Sequence, residues 1–327
     1  MSPKRLFDGP RAEPGKLLID LDSGNLPRHS RGLCGLAVCL QSALASASLS
    51  VSYPDLMGLL NAAFMLVVDD EFSVNAAIAR RWQHLGDVLG DLGFTEWRIA
   101  ARPPGPEAVV SELREGRSLL ALGWGRAAGD WSLICGQSAD GSTWLGYDFA
   151  ADPLLQDAPA GCRLAVSIGK YSGSADITEA RQLALQAAAR LRSSDMDPIA
   201  AYAHWATLMK SRRPFPDGPI GDEMILRHEW FTEVLLDARS AAADFLSNVE
   251  PISDELAEDE TTSAADLYRR VVDLLESRSP GLFDPLATEA LRDAEVRDEW
   301  AELLEQAADT EAKALAILKR VARGGAS

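Results

Sequence analysis

The sequence predicts an α+β fold in its first half and an all-α bundle in its second. Three observations carry this. Helix-forming apolar stretches come first, from Cys34 to about Ser48 and from Val74 to Leu92. Short β-prone runs bounded by Gly, Pro and Asp then follow one another as far as Gly169, which predicts a mostly antiparallel sheet. Beyond about residue 172 no strand pattern recurs and Ala/Leu-rich helical spacing takes over. Two domains are expected, 1–172 and 173–327.

The elements follow in chain order. Residues 1–30 are Pro/Gly-rich, apart from Lys16-Leu17-Leu18-Ile19-Asp20-Leu21, which predicts a short strand. Cys34 opens an Ala- and Leu-rich segment that reads as a central buried helix. Ser52-Tyr53-Pro54-Asp55 predicts a second helix start, with Ser52 as the cap or Pro54 in the first turn, continuing over 56–64. Met65-Leu66-Val67-Val68 is β-prone and precedes the acidic turn Asp69-Asp70-Glu71. The amphipathic helix from Val74 ends at Gly93. Trp97–Ala100 predicts a strand, Glu107–Glu115 a helix closed by Gly116, and Ser118–Gly123 a buried strand.

A hairpin is expected next. Its first arm is Asp130-Trp131-Ser132-Leu133-Ile134-Cys135-Gly136, its turn Ser138-Ala139-Asp140-Gly141, and its return Thr143–Asp148. Arg163–Gly169 is the last strand. After it, Asp176 with Glu179 three residues on resembles a capping box before a helix to about Ser193. Asp197-Pro198 and Asp284-Pro285 each match an N-cap followed by proline at the first helical position. Thr262-Ser263 precedes a helix through Leu275, and residues 293–322 read as one or two more.

Composition narrows the function. The chain has 327 residues, of which 47% are hydrophobic and 25% charged, the profile of a soluble globular protein. Its net charge of -17 and pI near 4.7 disfavour nucleic acid and anionic membrane surfaces as partners. No run reaches the roughly 18 apolar residues of a spanning helix. The N-terminus has a basic start but no apolar stretch behind it, so no secretory signal is expected. Four cysteines in so long a chain do not make a disulfide framework, and a reduced, cytoplasmic protein is expected. No metal is expected either. Cys34 and Cys39 diverge by roughly 140° on a helix, and His228 and Glu229 are adjacent and diverge likewise.

The chemistry-bearing constellation is Arg31-Gly32-Leu33-Cys34-Gly35, a cysteine where a loop becomes a helix, with the later strand pair. A helix N-terminus offers unsatisfied N–H groups and partial positive charge, which favour a thiolate and can hold an oxyanion. On the Cys34-Gly35 helix start, on 52–64 after it, and on Trp131–Gly136 with Tyr147-Asp148, the first domain resembles two related groups. One is the bacteriocin-processing papain-like cysteine peptidases that cleave double-glycine leaders. The other, closer in layout, is the N-terminal domain of the butirosin biosynthesis protein H family, which a helical domain follows.

The resemblance covers about residues 25–170 and implies a papain-like α+β fold with Cys34 in the nucleophile position and Asp148 as the orienting acid. The pattern departs at the base, because Asp130 or Trp131 stands where that family places histidine. A carboxylate there would raise the cysteine pKa rather than lower it. Arg28 or His29 also replaces the oxyanion-hole glutamine. His29 is the candidate surrogate base, and its plain alternative is a solvated loop histidine. Asp130, Trp131 and Trp124 are the candidate binding residues at the cleft. Trp124 floors a pocket or only plugs the sheet edge.

Three functions are weighed. The first is a non-catalytic papain-like protein whose cleft binds a peptide or small molecule without a cofactor. The second is a cysteine-dependent acyl-transfer enzyme, and the third an interaction protein acting through the helical half. Cys34 itself reads as a reactive thiol or as a small buried residue at a tight helix start. Cys39 and Cys135 read as core. Helix packing is the ordinary reading for His84, His204 and His228, and the acidic run Ser253–Glu260 reads as an exposed loop or helix end.

Overall fold

The structure, a computed structural model, describes residues 33–72, 84–100, 105–124, 131–137, 144–148, 154–156, 162, 164–169, 171–173, 176–191, 196–211, 215–249, 255–278 and 290–324. The chain divides into two compact units. One comprises Met1–Leu56 with Trp82–Ile177, the other Met57–Arg81 with Thr178–Ser327.

The first unit is α+β. Helix α1 (Gly35–Ser46) buries most of its surface because small and aliphatic side chains occupy nearly every position, and Ser48, at φ 67°, turns the chain away after it. Helix α2 (Tyr53–Leu59), whose last three residues belong to the other unit, starts as the sequence predicts: Ser52 Oγ accepts the Asp55 N–H at 3.2 Å and donates to Asp55 Oδ2 at 2.6 Å. Helices α3 (Leu85–Asp91) and α4 (Pro106–Arg114) follow.

The strands are β1 (Trp97–Ala100), β2 (Ser118–Leu122), β3 (Trp131–Gln137), β4 (Trp144–Asp148), β5 (Leu154–Gln156) and β6 (Leu164–Ile168). They form one sheet in the order β1-β6-β2-β3-β4-β5, and every described neighbour pair is antiparallel.

Both faces of the sheet are covered, which is why β2 and β6 are buried at every position instead of alternating. On one face α4 packs Val109 and Leu113 against Leu119, Ala121, Ile134 and Ala165. On the other lies α1, whose Ser46 Oγ hydrogen-bonds Ser118 Oγ at 3.0 Å while Cys39 Sγ donates to the Trp131 carbonyl at 3.6 Å. Leu122 pairs with Trp131 and Leu119 with Ile134, so α1 runs from the end of the sheet where β3 begins toward the end where β2 begins.

The second unit is helical among its described residues: most of α5 (Ile177–Ala188), then α6 (Pro198–Lys210), α7 (Pro219–Asn248), α8 (Glu255–Glu276) and α9 (Ala294–Gly324). Asp197 caps α6 by accepting the Ile199 N–H at 3.0 Å. α9 packs on α8 and α6, and α7 packs on α8. The segment that follows Leu56 belongs here rather than with the sheet. Phe64 sets its ring edge-on to Phe245 and Tyr268 at 5.9 and 5.6 Å, and Arg239 Nη1 donates to the Ala63 and Met65 carbonyls at 2.8 and 3.3 Å.

Met65–Val68, expected to be β-prone, forms no strand, and its Leu66 lies in the helical core. The helix expected over 56–64 stops at Leu59 because Asn61 takes a left-handed conformation, φ 54°. The expected strand at 16–21 and the helix start at Asp284-Pro285 lie outside the described residues. No helix among the described residues is long and apolar enough to cross a membrane.

Candidate functional site

Cys34 is the N-cap of α1, in an extended conformation (φ −90°, ψ 97°), and its residue is 3% exposed. Its carbonyl accepts the first helical hydrogen bond from the Val38 N–H at 3.1 Å. Its own N–H donates to Tyr53 Oη at 3.1 Å, and Tyr53, at the first turn of α2, is buried as well. An N–H at a helix start is a natural oxyanion donor. Here a phenol oxygen takes it.

The ladder sets what lies near this helix start. Cys39 touches the beginning of β3, and Cys34 precedes it by five residues, about 7.5 Å of helix rise. Asp148 pairs with Ser132, so the end of β4 stands at the same end of the sheet. Cys34 and the backbone of Asp148 therefore share one end of the first unit. His29, Arg28 and Asp130 lie outside the described residues.

The two tryptophans are not gathered there on one surface. Trp131, 1% exposed, is in register with Leu122 on the α1 face. Trp124, 3% exposed, packs in the cluster under α4, where it meets Trp144 edge-on at 5.8 Å. Both are buried side chains. The remaining thiols are buried too. Burial pushes Cys135 up to about 12. Burial also raises Cys162, although its contact with Leu164 opposes that.

An open cleft of about 500 Å³ lies at the opposite end of the sheet, lined by Thr95, Glu96, Trp97, Arg98, Arg117 and Ser167. Three of these lining side chains, Arg98, Arg117 and Ser167, meet at Glu112 of α4. Arg117 Nε donates to Glu112 Oε2 at 2.5 Å, Arg98 Nη1 to Oε1 at 2.9 Å, and Ser167 Oγ also to Oε2. Arg117 also pairs with Glu115 at 2.5 Å and more loosely with Glu96 at 3.7 Å. Burial alone would raise the Glu112 carboxyl. The hydrogen bonds from Arg117 and Ser167, with the charges of Arg117 and Arg98, outweigh it and hold the carboxyl below its ordinary value. The bond to Glu112 first, and then that to Glu115, raise Arg117 against the opposing effect of burial.

Sequence reasoning misses Tyr53 as the partner of Cys34 and misses this network altogether. A glutamate and an arginine on either side of Gly116 are the one local signal for it; Arg98 and Ser167 join only through the ladder. Among the described residues, no group of three or more His, Cys, Asp or Glu side chains is placed to hold a metal ion. Compared with known proteins, the chain matches no family model, no curated protein and no solved structure.

Proposed function

We propose that the first unit is a papain-like domain that binds a peptide or small molecule at the Cys34 end and does not hydrolyse it. The observation that carries this reading is the Cys34 N–H, committed to Tyr53 Oη beside a buried residue. A nucleophile needs an exposed sulfur, a base within reach and a free oxyanion donor. At Cys34 the donor is occupied and the residue is 3% exposed. In the sequence, Asp130 or Trp131 stands where the base would be. The shared end of α1, β3 and β4 supports the papain-like part of the reading.

The test is alkylation of the native protein with iodoacetamide near neutral pH, followed by mass spectrometry of each cysteine. Cys34 is expected to react no faster than the other three buried thiols, and all four to react on unfolding. A single hyper-reactive Cys34 overturns the reading.

The same layout favours one second reading, a cysteine-dependent acyl transferase or peptidase in which Tyr53 covers the oxyanion site until substrate displaces it. That reading requires a burst of nitrophenolate from p-nitrophenyl acetate, stoichiometric with the chain, lost in Cys34→Ala and larger in Tyr53→Phe. The binding reading expects no burst in any of the three proteins.

A further inference from the structure

Strand β1 ends the strand order, and among the described residues nothing pairs with its outer edge. Arg98 and Ile99 are consecutive and face opposite sides of the sheet, and are 71% and 42% exposed, while Trp97, on the Ile99 face, lies against Gly86 and Gly90 of α3. On its inner side β1 meets β6 with Trp97 opposite Ile168, and the Glu96 carbonyl accepts the Gly169 N–H at 2.7 Å. Successive residues of an antiparallel strand turn their N–H and C=O groups to alternate edges. Glu96, Arg98 and Ala100 therefore direct theirs to β6, while Trp97 and Ile99 direct theirs outward. Before Glu96 the alternation breaks, because the Gly93 carbonyl accepts the Ser172 N–H at 3.0 Å beside the bridge from Phe94 to Tyr171.

Exposed edges are commonly blunted by charge, which repels a second edge. This edge carries one charge of each sign, two residues apart on one face: Glu96, 57% exposed, and Arg98. We propose that β1 pairs with β1 of a second copy of this chain, antiparallel about a two-fold axis through Trp97. In that register Glu96 lies opposite the partner's Arg98, and Arg98 opposite the partner's Glu96. Both are non-hydrogen-bonded positions, where facing side chains come closest. Trp97 then exchanges its N–H and C=O with the partner's Trp97. Ile99 turns its outward N–H and C=O toward the partner's chain beside its Thr95.

Such an interface is isologous and closes at two copies. Sliding the register to set Arg98 against the partner's Arg98 would oppose like charges, so charge selects the register. Arg98 has one hydrogen bond to Glu112, and Glu96 touches Arg117 only at 3.7 Å. The two clefts beside β1 would become continuous across the axis. The surface lies at the far end of the sheet from Cys34, so it stands or falls separately from the proposed function.

Sedimentation equilibrium on the full chain tests this. The wild type is expected to dimerise reversibly, and Arg98→Glu and Glu96→Arg are each expected to weaken the dimer about tenfold or more by opposing like charges. Mixed together, the two variants should form a heterodimer at near wild-type affinity, because both cross-pairs are then complementary. Rescue on mixing also shows that neither variant has unfolded. Ile99→Pro, which removes an outward N–H and leaves the β6 ladder intact, should abolish the dimer without loss of circular dichroism. A wild type that stays monomeric at every concentration overturns the proposal. So does a dimer indifferent to both charge reversals, or a mixture that shows no rescue.

Discussion

His228 on α7 is 1% exposed and boxed by rings: Phe72, Trp205 and Trp300 stand edge-on to it at 5.3, 5.5 and 5.2 Å. Neither ring nitrogen has a hydrogen-bond partner among the described residues. Burial pushes its pKa from 6.5 down to about 3. The neutral ring is therefore the folded form, while the unfolded chain takes up a proton as soon as pH falls below the ordinary value. The stability this histidine contributes is whole above about 6.5 and drains away toward about 3, at up to about 1.4 kcal/mol per pH unit. Urea unfolding followed from pH 7 to pH 4 should show that slope in the wild type and a shallower one in His228→Leu; equal slopes would contradict it. Helix packing is what the sequence suggests for His228. His204, read the same way, is instead half-exposed and paired with Asp70 at 3.1 Å.

At the scale of elements, the close approach of α2 to α7 depends on Gly58. A Cβ built there would fall 2.3 Å from the Phe245 ring, which is 0% exposed and has no room to yield. Gly58→Ala should therefore cost about 1–3 kcal/mol in a denaturant titration, despite the better helix propensity of alanine. An unchanged midpoint would mean that the two helices are not held this close. Strand β1 and the main helices were legible because period and bounding Gly or Pro are local signals, as at Trp97–Ala100 and Pro106–Arg114. Strand β5 was not. Three residues between Pro153 and Asp157 show no period, and they become a strand only because β4 offers Trp144, Leu145 and Gly146 as partners.

At the scale of the whole chain, the buried Arg239–Glu311 pair ties α7 to α9. Arg239 Nε donates to Glu311 Oε2 at 2.8 Å, both side chains are 0% exposed, and Tyr202 Oη donates to the same carboxylate oxygen at 3.0 Å. Nη1 of the same guanidinium reaches the Ala63 and Met65 carbonyls, so one side chain joins three stretches distant in sequence. Arg239→Met leaves Glu311 buried without its counter-charge and should cost about 3–5 kcal/mol. Adding Glu311→Leu should recover most of that, since a paired buried charge contributes little net over an apolar substitute. Both arms are read from urea midpoints. A double variant as unstable as the single one would mean that the contacts of Arg239 to the backbone, not its charge, dominate.

Apart from β5 and the Met65–Val68 run, the order of helix and strand up to Gly169, and the run of helices after Ile177, were settled by the chain's own periodicity. So was the position of Cys34 where a loop becomes a helix. Which residues join which unit was not. The division read at residue 172 leaves the 57–72 segment with the sheet, and packing around Phe64 and Arg239 assigns it to the helices. Tertiary structure alone set Tyr53 against Cys34, gathered Arg98, Glu112, Arg117 and Ser167 beside one cleft, and left β1 last in the strand order among the described residues. The reason is range: spacing reports on neighbours a few residues apart. The contact from Tyr53 to Cys34 spans 19 residues and that from Arg239 to Ala63 spans 176, so both exist only once the chain has folded.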